Sequence, residues 1–578
     1  MKDTVKLSID NLETEVPKGT TVLQAARELG VYIPTLCHLQ GVNHSSSCRV
    51  CLVEAGPRLI ASCTLAAEEG MQIRTNTPRV RAARKTTIEL ILSDHNQECP
   101  SCSRSGTCEL QDAAQQVGVR QVRYAGQKSH SLVDASSPSL LRDTSKCILC
   151  GRCVAACGNM QTVGAIGFMN RGFDTVIGPA MGKPLGESAC VNCGQCIMAC
   201  PVGALQEREQ MNDVWQAIAD PHKFVVVQVA PAVRVALGEE FGMPVGSRVT
   251  GKMVAALRRI GFDKVFDTDF AADLTIMEEG TELLHRLQTR SNLPLMTSCC
   301  PGWVKFVEHF YPDMLGHLSS CKSPHEMEGA LIKSYFAGMM DMDPKRIVVV
   351  SVMPCTAKKY EGQREELSNE ALQDVDYVLT TRELAWMIKE AGIDFAGLRG
   401  ESFDNPFGEA SGAGVIFGAT GGVAEAALRT VYELVAGHEL DTVEYTAVRG
   451  MEGMKETAVL LPDGQLIRTV VVHGLGNARK LMDQIRRGER TYDFIEVMAC
   501  PGGCICGGGQ PFTEAWRDRK QVALSRAGAI YDEDQGSAVR KSHHNPYIRQ
   551  VYADFLDRPN SPKSHKYLHT HYKVRSRY

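Results

Sequence analysis

Fifteen of the chain's 22 cysteines lie before residue 201, in tight repeated spacings. Cys147-x2-Cys150-x2-Cys153-x3-Cys157 is followed by Cys190-x2-Cys193-x2-Cys196-x3-Cys200-Pro201. Two such runs form the ligand pattern of a bacterial ferredoxin, in which the fourth cysteine of each run binds the other run's [4Fe-4S] cluster. Cys147, Cys150, Cys153 and Cys200 are thus expected to share one cluster, and Cys190, Cys193, Cys196 and Cys157 the other. The first run ends Cys157-Gly158 rather than Cys-Pro, which does not affect ligation.

At 578 residues the chain is too long for one ordinary core, so several domains are expected. With 44% apolar and 22% charged residues it reads as globular, and no stretch approaches the roughly 20 apolar residues of a membrane span. The start carries neither an apolar secretory region nor a twin-arginine leader, which predicts a cytoplasmic protein. In that reducing compartment, paired cysteines read as metal ligands rather than disulfides.

Val5 to Ile9 alternates as a half-buried strand, Asp10-Asn11 turns into a second strand ending near Val16, and Thr20 or Thr21 can cap a helix ending at Gly30. Strand, strand, helix, then cysteines suggests a β-grasp ferredoxin with Cys37, Cys48, Cys51 and Cys63 holding a [2Fe-2S] cluster; zinc is the alternative. A helical stretch from about Pro78 to Leu92 precedes His95-x3-Cys99-x2-Cys102-x5-Cys108. One imidazole and three thiolates suit tetrahedral zinc or a [4Fe-4S] cluster, and spacing does not choose between them.

From about residue 210 the pattern changes. Phe224-Val-Val-Val-Gln-Val and Ile347-Val-Val-Val-Ser-Val read as strands buried on both faces of a parallel sheet, with amphipathic helices over Gly251–Ile260 and Thr381–Ala391. The glycine-rich stretches at 412–414, 418–422 and 474–476 fail the G-x-G-x-x-G fingerprint and there is no P-loop, so the chain itself is not expected to bind NAD. The net charge of −4 argues against a nucleic-acid binder. Arg540–Tyr578 is basic and carries Tyr547, Val551, Phe555, Leu556, Tyr567 and Leu568, as an arm packed over an acidic body would.

Three further segments stand out: Thr297-Ser-Cys-Cys-Pro-Gly-Trp303, Met353-Pro-Cys-Thr-Ala-Lys-Lys-Tyr-Glu361, and Glu496-Val-Met-Ala-Cys-Pro-Gly-Gly-Cys-Ile-Cys-Gly-Gly-Gly-Gln510. They closely resemble the three signatures of iron-only ([FeFe]) hydrogenases. With the N-terminal cysteine sets, the resemblance covers essentially the whole chain and is to the clostridial type with four accessory clusters. The fold it implies is multidomain α/β and α+β. A β-grasp [2Fe-2S] domain would span 1–79, a His-ligated [4Fe-4S] domain 80–126, a 2[4Fe-4S] ferredoxin-like domain 127–209, and an H-cluster domain with the basic arm 210–578.

The resemblance implies one [2Fe-2S] cluster, three accessory [4Fe-4S] clusters and an H-cluster. Cys300, Cys355, Cys500 and Cys504 would bind the [4Fe-4S] part of the H-cluster, with Cys504 bridging to a two-iron subcluster that carries CO, cyanide and an azadithiolate. Glycines 502, 503, 507, 508 and 509 would allow close backbone approach to it. Lys358 would stabilise a cyanide, and Pro231, Ala232, Ser323, Met353, Phe417 and Met498 would wall the pocket or simply pack the core. Cys299 would pass protons. Glu279, Glu282 and Arg286, at helical spacing, with Ser319, would carry them to the surface or form a salt-bridged face. Ala232 and His325 depart from residues common in the family. Cys321 and Cys506 are left over by the ligand sets; Cys506, two residues beyond a ligand, reads as an inert buried thiol or an oxidation-sensitive one.

The implied partners are dihydrogen and protons, a ferredoxin or other redox protein, maturation proteins, and NAD(P)-linked subunits if the chain works in a complex. Three rivals share parts of the pattern: a complex I-like electron wire, an iron-sulfur assembly factor, and a dihydrogen sensor.

Overall fold

The structure, a computed structural model, describes residues 3–129, 131–369, 371–438, 444–461, 464–513 and 518–577. Strand Thr4–Ile9 pairs antiparallel with Leu12–Pro17 through a two-residue turn. Asp10 and Asn11 both take positive φ there (48° and 70°), the conformation whose twist suits a tight hairpin and which short polar side chains tolerate. Met71–Arg74 adds parallel to the first strand, and Leu52–Ala55 and Arg58–Ala61 complete a five-stranded sheet. Helix Val22–Glu28 starts from Thr21, which forms a capping box with Gln24. Its Val22, Leu23, Ala25 and Ala26 are fully buried against Leu7, Ile9, Val16 and Ile73.

Helix Pro78–Asp94, capped by Thr77 with proline at its first turn, leads away from this sheet. The paired cysteine runs that follow repeat one backbone pattern. Leu149 and Asn192 sit at φ 51° and 58°, Gly151 and Gly194 at 75° and 68°, and short helices Arg152–Ala155 and Gln195–Ala199 begin directly after the glycines. The left-handed steps wrap each run around a point, which an extended strand or a continuous helix could not do.

The remainder is built on two four-stranded sheets. In the first, Lys264–Asp267, Phe224–Val229, Ile347–Met353 and Tyr377–Thr380 are all parallel. Val226, Val227, Val349 and Val350 have no exposed surface, as both-face burial requires. In the second, Leu295–Met296, Phe494–Met498 and Leu466–His473 are parallel, while Met454–Leu460 joins as an antiparallel edge whose residues alternate between exposed and covered. The two predicted helices are present as Thr250–Ile260 and Thr381–Glu390, the latter with a Thr380–Glu383 capping box.

The C-terminal arm packs down through helices Pro546–Val551 and Pro562–Leu568. Leu556 and Leu568 are fully buried in the first sheet's core. Its cations meet acids of the body: Arg575 with Glu308 and Glu366, Lys541 with Glu433, and Arg540 with Asp534. Tyr578 lies outside the described residues. Among the described residues, no helix is long and apolar enough to cross a membrane.

Candidate active site and electron-transfer sites

The cysteines of the three signature segments follow the ends of parallel strands. Cys300 caps helix Pro301–Phe310 just after Leu295–Met296, Cys355 follows Ile347–Met353, and Cys500 follows Phe494–Met498, with Cys504 on the next turn. The carboxyl ends of strands in an open α/β sheet are where such folds place their sites.

The four thiols converge. Burial pushes Cys355 up to about 12, with Cys300 adding to the effect. Burial, then Cys355, Cys193, Cys300 and Cys504, raise Cys500, while burial, then Cys300 and Cys355, raise Cys504. Thiols this close and dry do not ionise together unless a cationic centre compensates them, so the donor set fits an iron-sulfur group. The Ala499 N–H donates to Cys300 Sγ at 3.4 Å, as backbone amides do around such centres.

The glycines beside Cys504 are packed against protein. A Cβ on Gly507 would fall on Pro354 O, one on Gly509 would meet Thr380 at 2.8 Å, and one on Gly508 would lie 2.6 Å from Cys193 O and 2.7 Å from Gly194 Cα. Their freedom from side chains lets the Cys504 loop seat against the Cys355 loop and the second ferredoxin-like run. Gln161 reinforces that seam: its Nε2 donates to Ala499 O at 2.8 Å and lies 3.6 Å from Cys193 Sγ, and its Oε1 accepts from the Leu475 N–H.

Ala232, Phe417 and Met498 share one core with Cys299, Cys300 and Cys504, whereas Met353 belongs to the adjoining core; Pro231 is also buried. Lys358 donates to Glu361 Oε2 at 2.6 Å, to Ser323 Oγ at 2.8 Å and to Cys299 O at 3.3 Å, so each of its three hydrogens has an acceptor. Glu361 was not legible as a site residue. Against the upward push of burial, Lys358 and His325 hold it at about 2. His325 spans Glu361 and Ser351, at 3.0 and 2.7 Å.

Glu279, Glu282 and Arg286 all lie on helix Thr268–Thr289. Burial, reinforced by Glu282, pushes Glu279 up to about 8, and its Oε2 is buried without a partner. Ser319 lies beside Glu279 and donates to Glu282 Oε2 at 2.8 Å, and Arg286 Nη2 donates to Glu282 Oε1 at 2.6 Å. Cys299 is raised by burial first and by Glu279 second, so its thiol and the Glu279 carboxyl are neighbours.

The N-terminal sets gather likewise. The Cys37 thiol is within bonding reach of Cys48 and Cys63, and Cys51 of Cys63. Cys147, Cys150, Cys153 and Cys200 line one small cavity, and Cys157, Cys190 and Cys193 all act on Cys196. The Asn192 and Ala165 N–H groups donate to Cys190 and Cys157 Sγ at 3.4 and 3.3 Å. His95 Nδ1 is buried with no partner, an orphan that a metal would satisfy, while Cys102 acts on nearby Cys108 and Cys99 closes a short helical turn with Cys102. Cys321 and Cys506 are covered thiols raised by burial.

Thiol sets leading inward to a buried thiol quartet define an iron-sulfur redox enzyme. Residues 223–508 match the iron only hydrogenase large subunit, C-terminal domain, and 520–575 the iron hydrogenase small subunit. Residues 2–78 match a 2Fe-2S iron-sulfur cluster binding domain, 84–123 the NADH-ubiquinone oxidoreductase-G iron-sulfur binding region, and 146–204 a 4Fe-4S dicluster domain. The chain is 51% identical to NADP-reducing hydrogenase subunit HndD of Solidesulfovibrio fructosivorans, over 99% of each chain. It is 42% identical to iron hydrogenase 1 of Clostridium pasteurianum, over 98% of this chain and 99% of that one. The solved [FeFe]-hydrogenase HydA1 of Chlamydomonas reinhardtii aligns with TM-score 0.56 and 45% identity, over 63% of this chain and 99% of that one. The chain belongs to the iron-only hydrogenase family and is an oxidoreductase acting on dihydrogen. A cytosolic Fe-S cluster assembly factor of Xenopus tropicalis matches only 61% of the chain, at 31% identity.

Proposed function

We propose that Cys300, Cys355, Cys500 and Cys504 hold an H-cluster at which protons and electrons are reversibly converted to dihydrogen. The convergence of these four thiols beside the Cys299–Glu279 row carries the reading. When bound, such a group, a [4Fe-4S] cluster with a two-iron subcluster carrying CO, cyanide and azadithiolate, would supply the two-electron chemistry. The chain supplies the rest. Pro231, Ala232, Ser323, Phe417, Met498 and Met353 keep the site dry, and the Lys358–Glu361 pair fixes a buried cation beside it. Cys299, Glu279, Ser319 and Glu282 pass the proton in sequence, with Arg286 holding Glu282 at the outer end.

Electrons would enter through a β-grasp domain over 1–79, where Cys37, Cys48, Cys51 and Cys63 would hold a [2Fe-2S] cluster, and a domain over 80–126, where His95, Cys99, Cys102 and Cys108 would hold a [4Fe-4S] cluster. The paired cysteine runs of 127–209 would hold two further [4Fe-4S] clusters, which would carry electrons toward the H-cluster domain of 210–578. The close approach of Gly194 and Gly508 seats the second ferredoxin-like run against the Cys504 loop, which supports a direct path from the last accessory ligand set to the catalytic one. The reading makes the enzyme cytoplasmic and anaerobic, loaded by maturation proteins and served by ferredoxin or another redox protein. Similarity to HndD, named as an NADP-reducing hydrogenase subunit, supports a second reading in which NAD(P)-linked partner subunits exchange the electrons.

The test is Cys299→Ser and Glu279→Gln in chain co-produced with maturation proteins. Infrared CO and cyanide bands should persist while hydrogen turnover collapses; undiminished turnover in both variants would remove the proposed relay.

A further inference from the structure

The C-terminal arm brings a histidine to the relay from outside its helix. Ser320 Oγ lies 3.4 Å from Glu282 Oε2, and the Ser320 N–H donates to the same oxygen at 3.2 Å. Ser320 Oγ is also 2.8 Å from His569 Nδ1. On the other side of the ring, His569 Nε2 lies 3.1 Å from Glu278 Oε2. Glu278 is fully buried and accepts from the Asn560 N–H at 2.7 Å and the Tyr552 hydroxyl at 2.6 Å. Backbone bonds flank the ring: the Lys322 N–H donates to Leu568 O and the Thr570 N–H to Ser320 O, both at 2.8 Å. His569 is 8% exposed, and exposed His565 packs on it at a tilt of 35° with ring centroids 4.1 Å apart.

We propose that Ser320, His569 and Glu278 form a second branch of the proton relay, leaving Glu282 through the C-terminal arm; the proposal rests on the relay reading above. Ser320 has one hydroxyl hydrogen and two partners, so it relays by exchange. A proton on Glu282 moves to Ser320 Oγ as the Ser320 hydroxyl proton moves to His569 Nδ1. Glu282 is left ionised, Ser320 neutral, and His569 an imidazolium whose Nε2–H points at the Glu278 carboxylate. The reverse movement loads Glu282 from the histidine.

Histidine is the side chain that exchanges protons between about pH 5 and 8, which suits a store for a two-proton reaction. Glu278 and Glu282 face it from helix Thr268–Thr289, Ser320 from the adjoining loop, Tyr552 and Asn560 from the arm, and His565 from its own helix. Arg286 and Cys321 face Glu282 from its other sides, with Cys321 Sγ 3.9 Å away.

The test is hydrogen evolution by the matured holoenzyme between pH 5.5 and 8.5, with infrared spectra of each variant. Glu282→Gln should fall at every pH. His569→Gln and Ser320→Ala should keep the CO and cyanide bands and match the parent at the alkaline end of this range. Near pH 6 they should lose about three- to tenfold, less than the ~10²-fold typical of removing a sole acid–base group, because the Arg286 side remains. Imidazole should restore His569→Ala, and the carboxyl stretch of Glu282, identified by its loss in Glu282→Gln, should shift in frequency in His569→Gln. Parental pH profiles in both branch variants alongside an impaired Glu282→Gln would overturn the branch alone. A uniform loss at every pH without imidazole rescue would make His569 a packing residue and also overturn it. An unimpaired Glu282→Gln would overturn the relay and the branch together.

Discussion

Glu279 gives the relay a pH dependence whose size follows from its burial. Desolvation, reinforced by Glu282, moves its carboxyl from 4.5 to about 8, a difference of about 5 kcal/mol between its two protonation states. The acid is neutral in the folded chain across the physiological range. Its ionised fraction is roughly 10% at pH 7 and roughly 90% at pH 9. Hydrogen oxidation needs the carboxylate, as acceptor of the proton leaving Cys299, and evolution needs the acid. Film voltammetry of the matured enzyme should therefore show oxidation rising about tenfold from pH 7 to pH 9 while evolution falls by a similar factor. Glu279→Gln should abolish the limb near pH 8 and lower turnover in both directions. The sign on stability is fixed as well: with its pKa raised, the native group loses stability as pH rises from 4.5 to about 8, so the glutamine variant gains relative to the parent over that window. A kinetic midpoint near 4.5, or a limb near pH 8 that survives Glu279→Gln, would refute the reasoning.

The other predictions concern the scaffold. Gly508→Ala places a methyl 2.6 Å from Cys193 O and 2.7 Å from Gly194 Cα; overpacking of this kind costs about 1–3 kcal/mol, so the thermal midpoint should fall, and an unchanged midpoint would contradict the seam. Glu361→Gln strands the Lys358 ammonium, at about 3–5 kcal/mol, visible in denaturant unfolding; equal midpoints would show the pair to be unnecessary. In the parent, Glu361's contribution is present above pH 4.5 and is lost as pH falls toward 2. Leu568→Ala should cost about 2–5 kcal/mol and loosen the arm, read as faster proteolysis after Arg540; parental resistance would mean the arm is not anchored there.

Much of this architecture is legible in one dimension because metal ligation and buried parallel strands both write local patterns. The C-x2-C runs specify their own loops through glycines at positive φ, and the valine runs at 224–229 and 347–352 mark strands buried on both faces. What the sequence conceals is convergence over distance. Glu361 looks like the end of a motif, yet beside its neighbour Lys358 two long-range partners define it: Ser323 and His325. His569 lies 249 residues from Ser320, and no periodicity links them. The glycines near Cys504 are visible, but whether they make room for a cluster or for protein depends on Gly194 and Pro354, which only the fold brings there. The basic arm was legible in charge and apolar content, and its acidic partners Glu308, Glu366, Glu433 and Asp534 were not.

The central claim is that Cys300, Cys355, Cys500 and Cys504 gather one organometallic centre. Infrared spectroscopy of the chain co-produced with maturation proteins tests it most directly. The account predicts CO and cyanide stretches that disappear in Cys504→Ala. A matured chain without those stretches and with zinc on the quartet, or stretches unchanged in Cys504→Ala and Cys355→Ala, would contradict it.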